Sequence, residues 1–370
     1  MIIKDEIHGT VEFNELEEKI IDSAHFQRLR RIKQMSVTNL VYPGANHSRF
    51  EHSIGTAHLS EIIARSVDLE EDEIQKVKLY GLLHDIGHVA FSHEGEDVLK
   101  KYIGNHEEVG RQKILEGEIA DILSENYQPR EIADIGGSPN GNIVESDLGA
   151  DRMDYLKRDA LNTGVAYGII DIDRIVHTIK MEKGKMYIEK GGLEAAENLL
   201  VARFMMFSAV YLHRTVRIAT AMLYRAIEGA ISDDTIAPER FTELDDESAM
   251  AEIAKSETGG KYANALLRRH LYKEVCSFPK NNWTETKAKK LEKQVSEKIN
   301  QDIIIDFPHP FFKSVEFQVK TDDGLCPIVE VSQLVQSLKK TEEDRMRVLV
   351  LAEEDVRTRF GDKIRKLIQL

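Results

Sequence analysis

Cysteine is scarce in this chain of 370 residues, which contains only Cys276 and Cys326. Disulfide-stapled domains and cysteine-based zinc sites both need several cysteines at characteristic spacings. The sequence therefore excludes a disulfide framework and a cysteine-rich zinc site. We predict that both residues are ordinary reduced thiols.

Long apolar runs are also missing. No stretch approaches the roughly 20 apolar residues that span a bilayer, and the first ten residues, MIIKDEIHGT, lack the apolar core of a signal peptide. Hydrophobic residues make up 42% of the chain and charged residues 31%, which is typical of a folded globular protein. The composition predicts a cytoplasmic protein without membrane contact, large enough to bury a catalytic pocket.

Positive charge is in deficit, because 50 lysines and arginines face 64 aspartates and glutamates, for a formal net charge of −14. Affinity for a nucleic-acid backbone comes largely from lysine and arginine, so this balance disfavours general nucleic-acid binding. Two local basic clusters suit either a pocket for a small polyanion or a solvated helix face. They are Arg28, Arg30, Arg31 and Lys33, and then Arg152, Lys157 and Arg158.

Apolar residues in the first two-thirds of the chain recur mostly at spacings of three and four, as between Ile54 and Ile63. This periodicity predicts mainly amphipathic helices. Alternation around Gly184 predicts a β-hairpin from about 179 to 189, and the apolar residues that follow predict one long helix from about 193 to 231.

Beyond residue 235 the sequence is more acidic and more often interrupted. The stretch 284–297 predicts a charged helix, and three later segments predict strands, the last of them entering a final helix. These segments are FFKSVEFQVKT, PIVEVS and MRVLVLAEED. The predicted fold is therefore mainly α, with a β-hairpin and a small mixed α/β C-terminal region. We place a boundary near residue 235, between a core of residues 1–235 and a helical and mixed α/β region of residues 236–370.

The most informative segment is LLHDIGHVAFSH, in which His84 and Asp85 close an apolar helix and His88 and His93 follow. A buried histidine or aspartate is costly unless it is paired or bound to a metal. A lone histidine in such a place is more often a hydrogen-bonded core residue. The adjacent His84 and Asp85, with further histidines in matching contexts, argue against that interpretation.

Further ligand types lie on both sides of this segment. His52 begins an amphipathic helix in SRFEHSIGTAHLSEIIA, and SDLGADRMDYLKRDA supplies Asp147, Asp151, Asp154 and Asp159. Two imidazoles and two carboxylates suit Mg, Mn, Fe or Zn and leave positions open for water and substrate. Since an open metal site polarises a phosphoryl oxygen and helps to generate the attacking hydroxide, the residues predict a divalent-metal centre for phosphoester hydrolysis.

Over about residues 1–230 the chain resembles the HD superfamily of metal-dependent phosphohydrolases, and specifically its dNTP triphosphohydrolase branch. Six blocks carry the resemblance in order: DEIHGTVEFNELEEKIID, FQRLRRIKQM, VYPGANHSRFEHSIG, HDIGHVAFSHEGE, NHEE and DRMDYLKRDALNTG. The resemblance implies a helical HD-domain fold and hydrolysis of a dNTP at its α-phosphate, which yields a deoxynucleoside and inorganic triphosphate. It also implies a homo-oligomer, with a tetramer favoured.

The resemblance assigns roles by matched position. The implied metal ligands are His52, His84, Asp85 and Asp151. The implied residues around the α-phosphate are His88, His93, Glu96 and His106. Among them, His93 is the candidate general acid for the leaving sugar oxygen, oriented by Glu96 where the family usually has aspartate.

Matched positions also imply contacts with the rest of the substrate. Cations for the triphosphate would be Arg49, Lys157 or Arg158, and Arg203, and Arg152 stands where a relative has lysine. Gln34 and Asp159 would read the 3′-hydroxyl, while Tyr155 and Tyr211 would pack near the deoxyribose and leave no room for a 2′-hydroxyl.

The vertebrate SAM-and-HD-domain relative has a guanine-nucleotide activator site at a subunit interface. Three residues of this chain match positions of that site, and all of them precede the first implied metal ligand. They are Asp22, Gln27 and Arg30. A carboxylate can accept hydrogen bonds from guanine N1 and N2, and arginine can bind O6 or phosphate. An ordinary amphipathic helix with solvated arginines is the alternative interpretation.

Two other functions are consistent with the same motifs. An HD phosphohydrolase acting on a nucleoside monophosphate or on a cyclic or signalling nucleotide would share the metal ligands. A nucleotide-sensing HD module with little turnover would share the scaffold. Gln34, Asp159 and Tyr211 favour a dNTP, and the complete ligand set argues against an inactive enzyme.

Overall fold

The computed structural model describes residues 1–308, 315 and 317–369. It is mainly helical with small sheets, as the sequence predicts. The helices are α1 (Glu15–Asp22), α2 (Ala24–Arg28), α3 (Arg49–Ser66), α4 (Glu71–Leu83), α5 (Ser92–Ile103), α6 (His106–Leu115), α7 (Glu118–Leu123), α8 (Pro129–Ala133), α9 (Asn142–Glu145), α10 (Ala150–Thr163), α11 (Ile172–Thr178), α12 (Leu193–Met206), α13 (Arg214–Ser232), α14 (Asp246–Ile253), α15 (Gly260–Leu267), α16 (Glu285–Ile299), α17 (Ile328–Val331), α18 (Gln333–Arg345) and α19 (Glu354–Gln369).

The strands form a hairpin and two larger sheets. They are β1 (Ile2–Asp5), β2 (Gly9–Glu12), β3 (Ile179–Glu182), β4 (Lys185–Glu189), β5 (Lys273–Pro279), β6 (Ile303–Asp306), β7 (Gln318–Thr321), β8 (Gly324–Pro327) and β9 (Arg347–Ala352). β1 pairs with β2, one sheet has the order β3-β4-β7-β8, and another has the order β5-β9-β6. All pairs are antiparallel except the parallel pair of β4 and β7.

Several helix ends lie close to the predicted metal ligands. α3 packs along α4 and α10, and its first turn begins with a capping box between Ser48 and Glu51 that satisfies backbone N–H groups. α4 ends at Leu83 beside the histidine–aspartate pair, while α5, α6 and α10 begin close by. The N-terminal ends of these helices favour negative charge, which suits a phosphate substrate.

Three groups of buried apolar residues form the core. The first joins α1–α4 and α10–α12, and the third lies within the β5-β9-β6 sheet with α16 and α19. The second includes Phe91, Met222, Phe241 and Leu351. It therefore contains residues from both sides of the predicted boundary near residue 235, and that boundary stays a prediction.

The predicted single helix from 193 to 231 is wrong. α12 ends at Met206, a π-helical turn spans Phe207–Tyr211, and α13 begins at Arg214 with an axis bent by 66°. Tyr42 donates a hydrogen bond from its hydroxyl to the Ala209 carbonyl at 2.6 Å, and His213 Nδ1 caps α13 by accepting from the Thr215 amide at 3.2 Å. No proline or glycine lies in the break, and these contacts hold its two sides.

The C-terminal predictions have mixed outcomes. The hairpin at 179–189, the helix at 284–297 and the strand and helix in MRVLVLAEED are confirmed. The strand predicted for PIVEVS is wrong, because β8 ends at Pro327 and α17 follows. In FFKSVEFQVKT only β7 is a strand, and residues 311–314 and 316 lie outside the described residues. Among the described residues, no single helix is long and apolar enough to cross a membrane; only the bent pair of α12 and α13 together meets the criterion.

Candidate active site

Two histidines and two aspartates from three parts of the fold meet in the interior. His52 Nε2 lies 3.0 Å from Asp151 Oδ1 and 3.6 Å from Asp85 Oδ2. His84 Nε2 lies 3.4 Å from Asp85 Oδ1 and 3.8 Å from Asp151 Oδ1. The four residues implied as metal ligands thus come together, although 99 residues separate the first from the last.

The orientation of both imidazoles fits a metal ion. His52 Nδ1 is hydrogen-bonded to Asp154 Oδ2 at 2.7 Å, and His84 Nδ1 to the Gly81 carbonyl at 2.8 Å. Such partners fix the tautomer and direct Nε2 towards the site. His84 Nε2 is buried and has no hydrogen-bond partner among the described residues. These donors suit a divalent cation bound by imidazole and carboxylate.

The pKa shifts of His52 and Asp85 also indicate a site suited to a cation. Burial disfavours the charged form of His52, but its hydrogen bonds to Asp151 and Asp154 prevail and raise its pKa to about 10. Burial also disfavours ionised Asp85, yet Arg49, whose Nη1 lies 2.7 Å from Asp85 Oδ2, holds its pKa well below the usual range. The carboxylates around His52 therefore make this a place that favours a positive charge.

A second cluster adjoins the first and contains His88, His93, Glu96 and His106. The rings of His88 and His106 stack with centroids 4.1 Å apart, and the His93 ring lies 4.8 Å from that of His88. His88 Nε2 is 3.3 Å from Asp85 Oδ1, so the two clusters share a boundary. The His93 side chain is 64% exposed, which leaves it accessible to a substrate.

The pairing predicted between Glu96 and His93 is not what the structure shows. Glu96 Oε2 is 2.6 Å from His106 Nδ1 but 4.0 Å from His93 Nδ1. The backbone N–H of His106 also approaches the same oxygen at 3.3 Å, so the first turn of α6 attracts the carboxylate. Glu96 thus orients His106 rather than His93.

The histidines of the second cluster differ in pKa. Burial and then the charge of Arg49 hold the pKa of His88 well below its usual range. Burial opposes protonation of His106 too, but the hydrogen bond that its Nδ1 donates to Glu96 outweighs it and raises the His106 pKa. The Glu96 carboxylate therefore favours the charged form of the His106 imidazole.

The arginines proposed for the triphosphate have different surroundings. Arg49 is buried between Asp85 and Ser92, whose Oγ accepts from its Nε at 3.0 Å. Arg203 Nη1 donates to Asp147 Oδ1 at 2.9 Å. Arg158 is fully buried, with Asp154 at 2.8 Å and Asp5 at 2.9 Å, so its charge is used inside the fold. Lys157, the other alternative at this point, is half-buried.

The residues proposed for the sugar also adjoin one another. Tyr211 donates from its hydroxyl to Asp159 Oδ2 at 2.5 Å, and His47 Nε2 lies 2.7 Å from Asp159 Oδ1. The backbone N–H of Gln34 donates to the His47 carbonyl at 3.0 Å. Gln34 Oε1 is buried and has no hydrogen-bond partner within the described ranges. Tyr155 is hydrogen-bonded to Arg152 and lies close to the charges of Arg203 and Asp151.

Three residues that support the site were given no role from the sequence. They are His8, His47 and Asp154. His8 Nε2 contacts Asp154 Oδ1 at 2.7 Å, so Asp154 holds His8, His52 and Arg158 together. The spacing of three between Asp151 and Asp154 placed both on one helix face and was a usable signal. His8 and His47 lie within the quoted blocks, but only the fold brings them to their partners.

The proposed activator residues lie at or close to the surface. Asp22 is exposed, and Arg30 Nε donates to Gln27 Oε1 at 2.9 Å. The Arg30 guanidinium stacks 3.5 Å from the centroid of Phe50, the neighbour of Arg49.

The helical fold and its buried histidine–aspartate cluster define a phosphohydrolase of the HD class, whose domains are metal-dependent. The HD domain model matches residues 49–159, and the model of the HD-associated region matches residues 170–370. The chain belongs to the HD-domain family.

Several known proteins are similar to the chain. An uncharacterized protein of Methanocaldococcus jannaschii is 38% identical over 92% of this chain and 76% of its own length. A deoxynucleoside triphosphate triphosphohydrolase SAMHD1 homolog of Dictyostelium discoideum is 29% identical, with 82% of this chain and 66% of the relative covered. A crystal structure of a hypothetical protein from Aquifex aeolicus has a TM-score of 0.84 and 30% identity over 100% of this chain and 99% of that one.

Proposed function

We propose that the protein hydrolyses deoxynucleoside triphosphates at the α-phosphate and releases deoxynucleoside and inorganic triphosphate. The observation that carries the proposal is the position of Asp159. Tyr211 and His47 hold this carboxylate two turns along α10 from Asp151, so the candidate sugar-binding group and a candidate metal ligand share one helix. The similarity to the Dictyostelium relative supports the same substrate class.

His52, His84, Asp85 and Asp151 would hold the metal ion. When bound, the ion would polarise the phosphoryl oxygen and lower the pKa of water. His93 would donate a proton to the leaving O5′ of the sugar, because its imidazole is accessible beside the metal cluster. His106, held by Glu96 through Nδ1, would donate a hydrogen bond to the phosphate from its charged imidazole.

Specificity for the sugar would come from the second group of contacts. The 3′-hydroxyl has one hydrogen to donate, and the unpaired Oε1 of Gln34 would accept it beside the Asp159 carboxylate. The ring of Tyr211 would lie against C2′ and exclude a ribonucleotide. An HD enzyme for another nucleotide phosphoester would need the same ligands but not this arrangement of Gln34, Asp159 and Tyr211.

Chromatographic separation of products from the four dNTPs and GTP tests the proposal. We expect deoxynucleoside and triphosphate in equal amounts from dNTPs. Diphosphate, monophosphate or orthophosphate as the primary product would exclude it, as would activity confined to other phosphoesters.

We also propose, from the surface arrangement of Asp22, Gln27 and Arg30, that a guanine nucleotide promotes assembly into a homo-oligomer, with a tetramer favoured, and raises activity. The test is hydrolysis of dATP with and without added dGTP, together with sedimentation of both samples. Absence of activation in the parent, or the same activation in Asp22→Ala, would exclude this site.

A further inference from the structure

The turn that delivers His93 to the site has an unusual backbone. Phe91 and Ser92 both have left-handed conformations, with φ of 68° and 55°. Consecutive non-glycine residues in this region are strained and persist only when their surroundings enforce them. His93 follows directly in the first turn of α5, so its position depends on whatever holds this turn.

A carboxylate from the distant part of the chain holds the turn. Asp246 Oδ1 accepts a hydrogen bond from the Phe91 amide at 2.7 Å across 155 residues of sequence. The Asp246 side chain is 5% exposed. Burying a carboxylate is costly, so its two oxygens must be well satisfied to remain there.

The other oxygen of the same carboxylate holds a second segment of the site. Asp246 Oδ2 accepts from the Lys33 amide at 2.9 Å, immediately before Gln34. Ser92 Oγ donates to the Lys33 carbonyl at 2.7 Å and accepts from Arg49 Nε, so the two segments are also joined to each other. Asp246 therefore bridges the backbone that precedes the candidate acid and the backbone that precedes the candidate sugar-binding residue.

Arg28 strengthens the connection from the other side. Its buried guanidinium donates to the His88 carbonyl at 2.8 Å, to the Phe241 carbonyl at 3.1 Å and to the Leu244 carbonyl at 2.7 Å. The segment 241–246 is thereby bound to the loop that carries His88. This segment lies in the HD-associated region, beyond the HD domain itself.

We propose that Asp246 is a positioning residue for the reaction, which sets the place of His93 through the Phe91–Ser92 turn and that of Gln34 through Lys33. The proposal rests on His93 being the general acid of the proposed function. It assigns to the HD-associated region a direct part in holding the catalytic loop, although Asp246 does not itself touch the reacting atoms.

The dependence of rate on the leaving group tests this role. A general acid matters most when the leaving oxygen is basic, so a misplaced acid steepens the dependence of rate on leaving-group pKa. Asp246→Asn keeps the shape of the side chain but sets an amide N–H₂ against a backbone N–H. We would measure parent, Asp246→Asn and His93→Ala on a series of substituted phenyl phosphodiesters, on dGTP, and for bound metal.

We expect Asp246→Asn to slow dGTP hydrolysis by about tenfold or more through kcat, to keep its metal, and to steepen the leaving-group dependence as His93→Ala does. The matched control is Asp245→Asn, one residue earlier, where asparagine still caps α14 and the carboxylate contacts Arg31 and Ser248. We expect this control to retain the parent's rate and leaving-group dependence.

If Asp246→Asn leaves the dependence of rate on leaving-group pKa unchanged, the proposal is overturned even if the rate falls. An equal loss of rate for every leaving group indicates only structural damage. If Asp246→Asn does not fold, Ser92→Ala takes its place, because it removes the hydroxyl that joins the same two segments. Ser92→Ala must then show the steeper dependence on leaving-group pKa. A slope equal to that of the parent would overturn the proposal. The aryl phosphodiesters are not dNTPs, so the two proposals can fail separately. A parent that cleaves the esters but not dGTP would refute the proposed function. The dependence of rate on leaving-group pKa would then still decide the positioning role of Asp246.

Discussion

Asp154 accepts a hydrogen bond from His52 Nδ1 at 2.7 Å while both side chains are completely buried. This contact fixes the imidazole with Nε2 facing Asp85 and Asp151. The carboxylate is itself anchored by Arg158 and His8. The orientation of a candidate metal ligand therefore depends on a residue that is not a ligand.

Asp154→Asn should weaken metal binding by about 10- to 100-fold, because the carboxylate both orients the imidazole of His52 and raises its basicity. Titration of the demetallated protein with Mn²⁺ measures the effect. Asp159→Asn is the matched control, since Asp159 is buried on the same helix but contacts His47 and Tyr211. Equal affinity for Mn²⁺ in the two variants would contradict this role.

Removal of the metal, or His84→Ala or Asp85→Ala, should lower turnover of dGTP at least about a hundredfold, because polarisation of phosphate and activation of water are lost together. Metal content and rate are measured on the same samples, with metal added back to the chelated parent. Full activity in the demetallated protein would contradict the account of the site.

His93→Ala should keep nearly the parent's metal content and slow the chemical step by about 10²- to 10⁴-fold, the usual contribution of a general acid. Single-turnover kinetics together with metal analysis check this. Loss of the metal in this variant would instead make His93 a ligand and would reassign the second cluster.

Hydrolysis of dGTP should be far faster than that of GTP, and Tyr211→Ala should narrow the gap by at least about tenfold, because the ring would no longer clash with a 2′-hydroxyl. Competition assays with both nucleotides give the ratio of kcat/KM. A parent that treats dGTP and GTP alike would remove the proposed role of Tyr211.

Lys113 gives a prediction about stability and pH. Burial, and then the charge of Arg28, lower its pKa to about 7, against about 10.4 for an unfolded lysine. Between these values the unfolded chain binds the additional proton, so the free energy of unfolding should rise with pH. In urea denaturation the parent should gain on the order of 1 kcal/mol over Lys113→Met between pH 7 and pH 9. The same pH dependence in both proteins would show that Lys113 is not perturbed.

The sequence was sufficient for the parts of the site set by local spacing. His84 and Asp85 end an apolar helix, so their burial was predicted, and the spacing of Asp151 and Asp154 is that of one helix face. It was insufficient where distant segments decide the structure. The break before Arg214, the Glu96–His106 pairing and the Asp246 bridge depend on neighbours far along the chain. The assignment of the individual site residues to chemical roles remains a prediction.

The most direct test of the central claim is the fate of the water oxygen during hydrolysis of dGTP in H₂¹⁸O, followed by mass spectrometry of the products. Attack at the α-phosphate with departure of O5′ predicts one ¹⁸O in inorganic triphosphate and none in deoxyguanosine. Labelled orthophosphate with dGDP, or labelled pyrophosphate with dGMP, would contradict the proposed reaction.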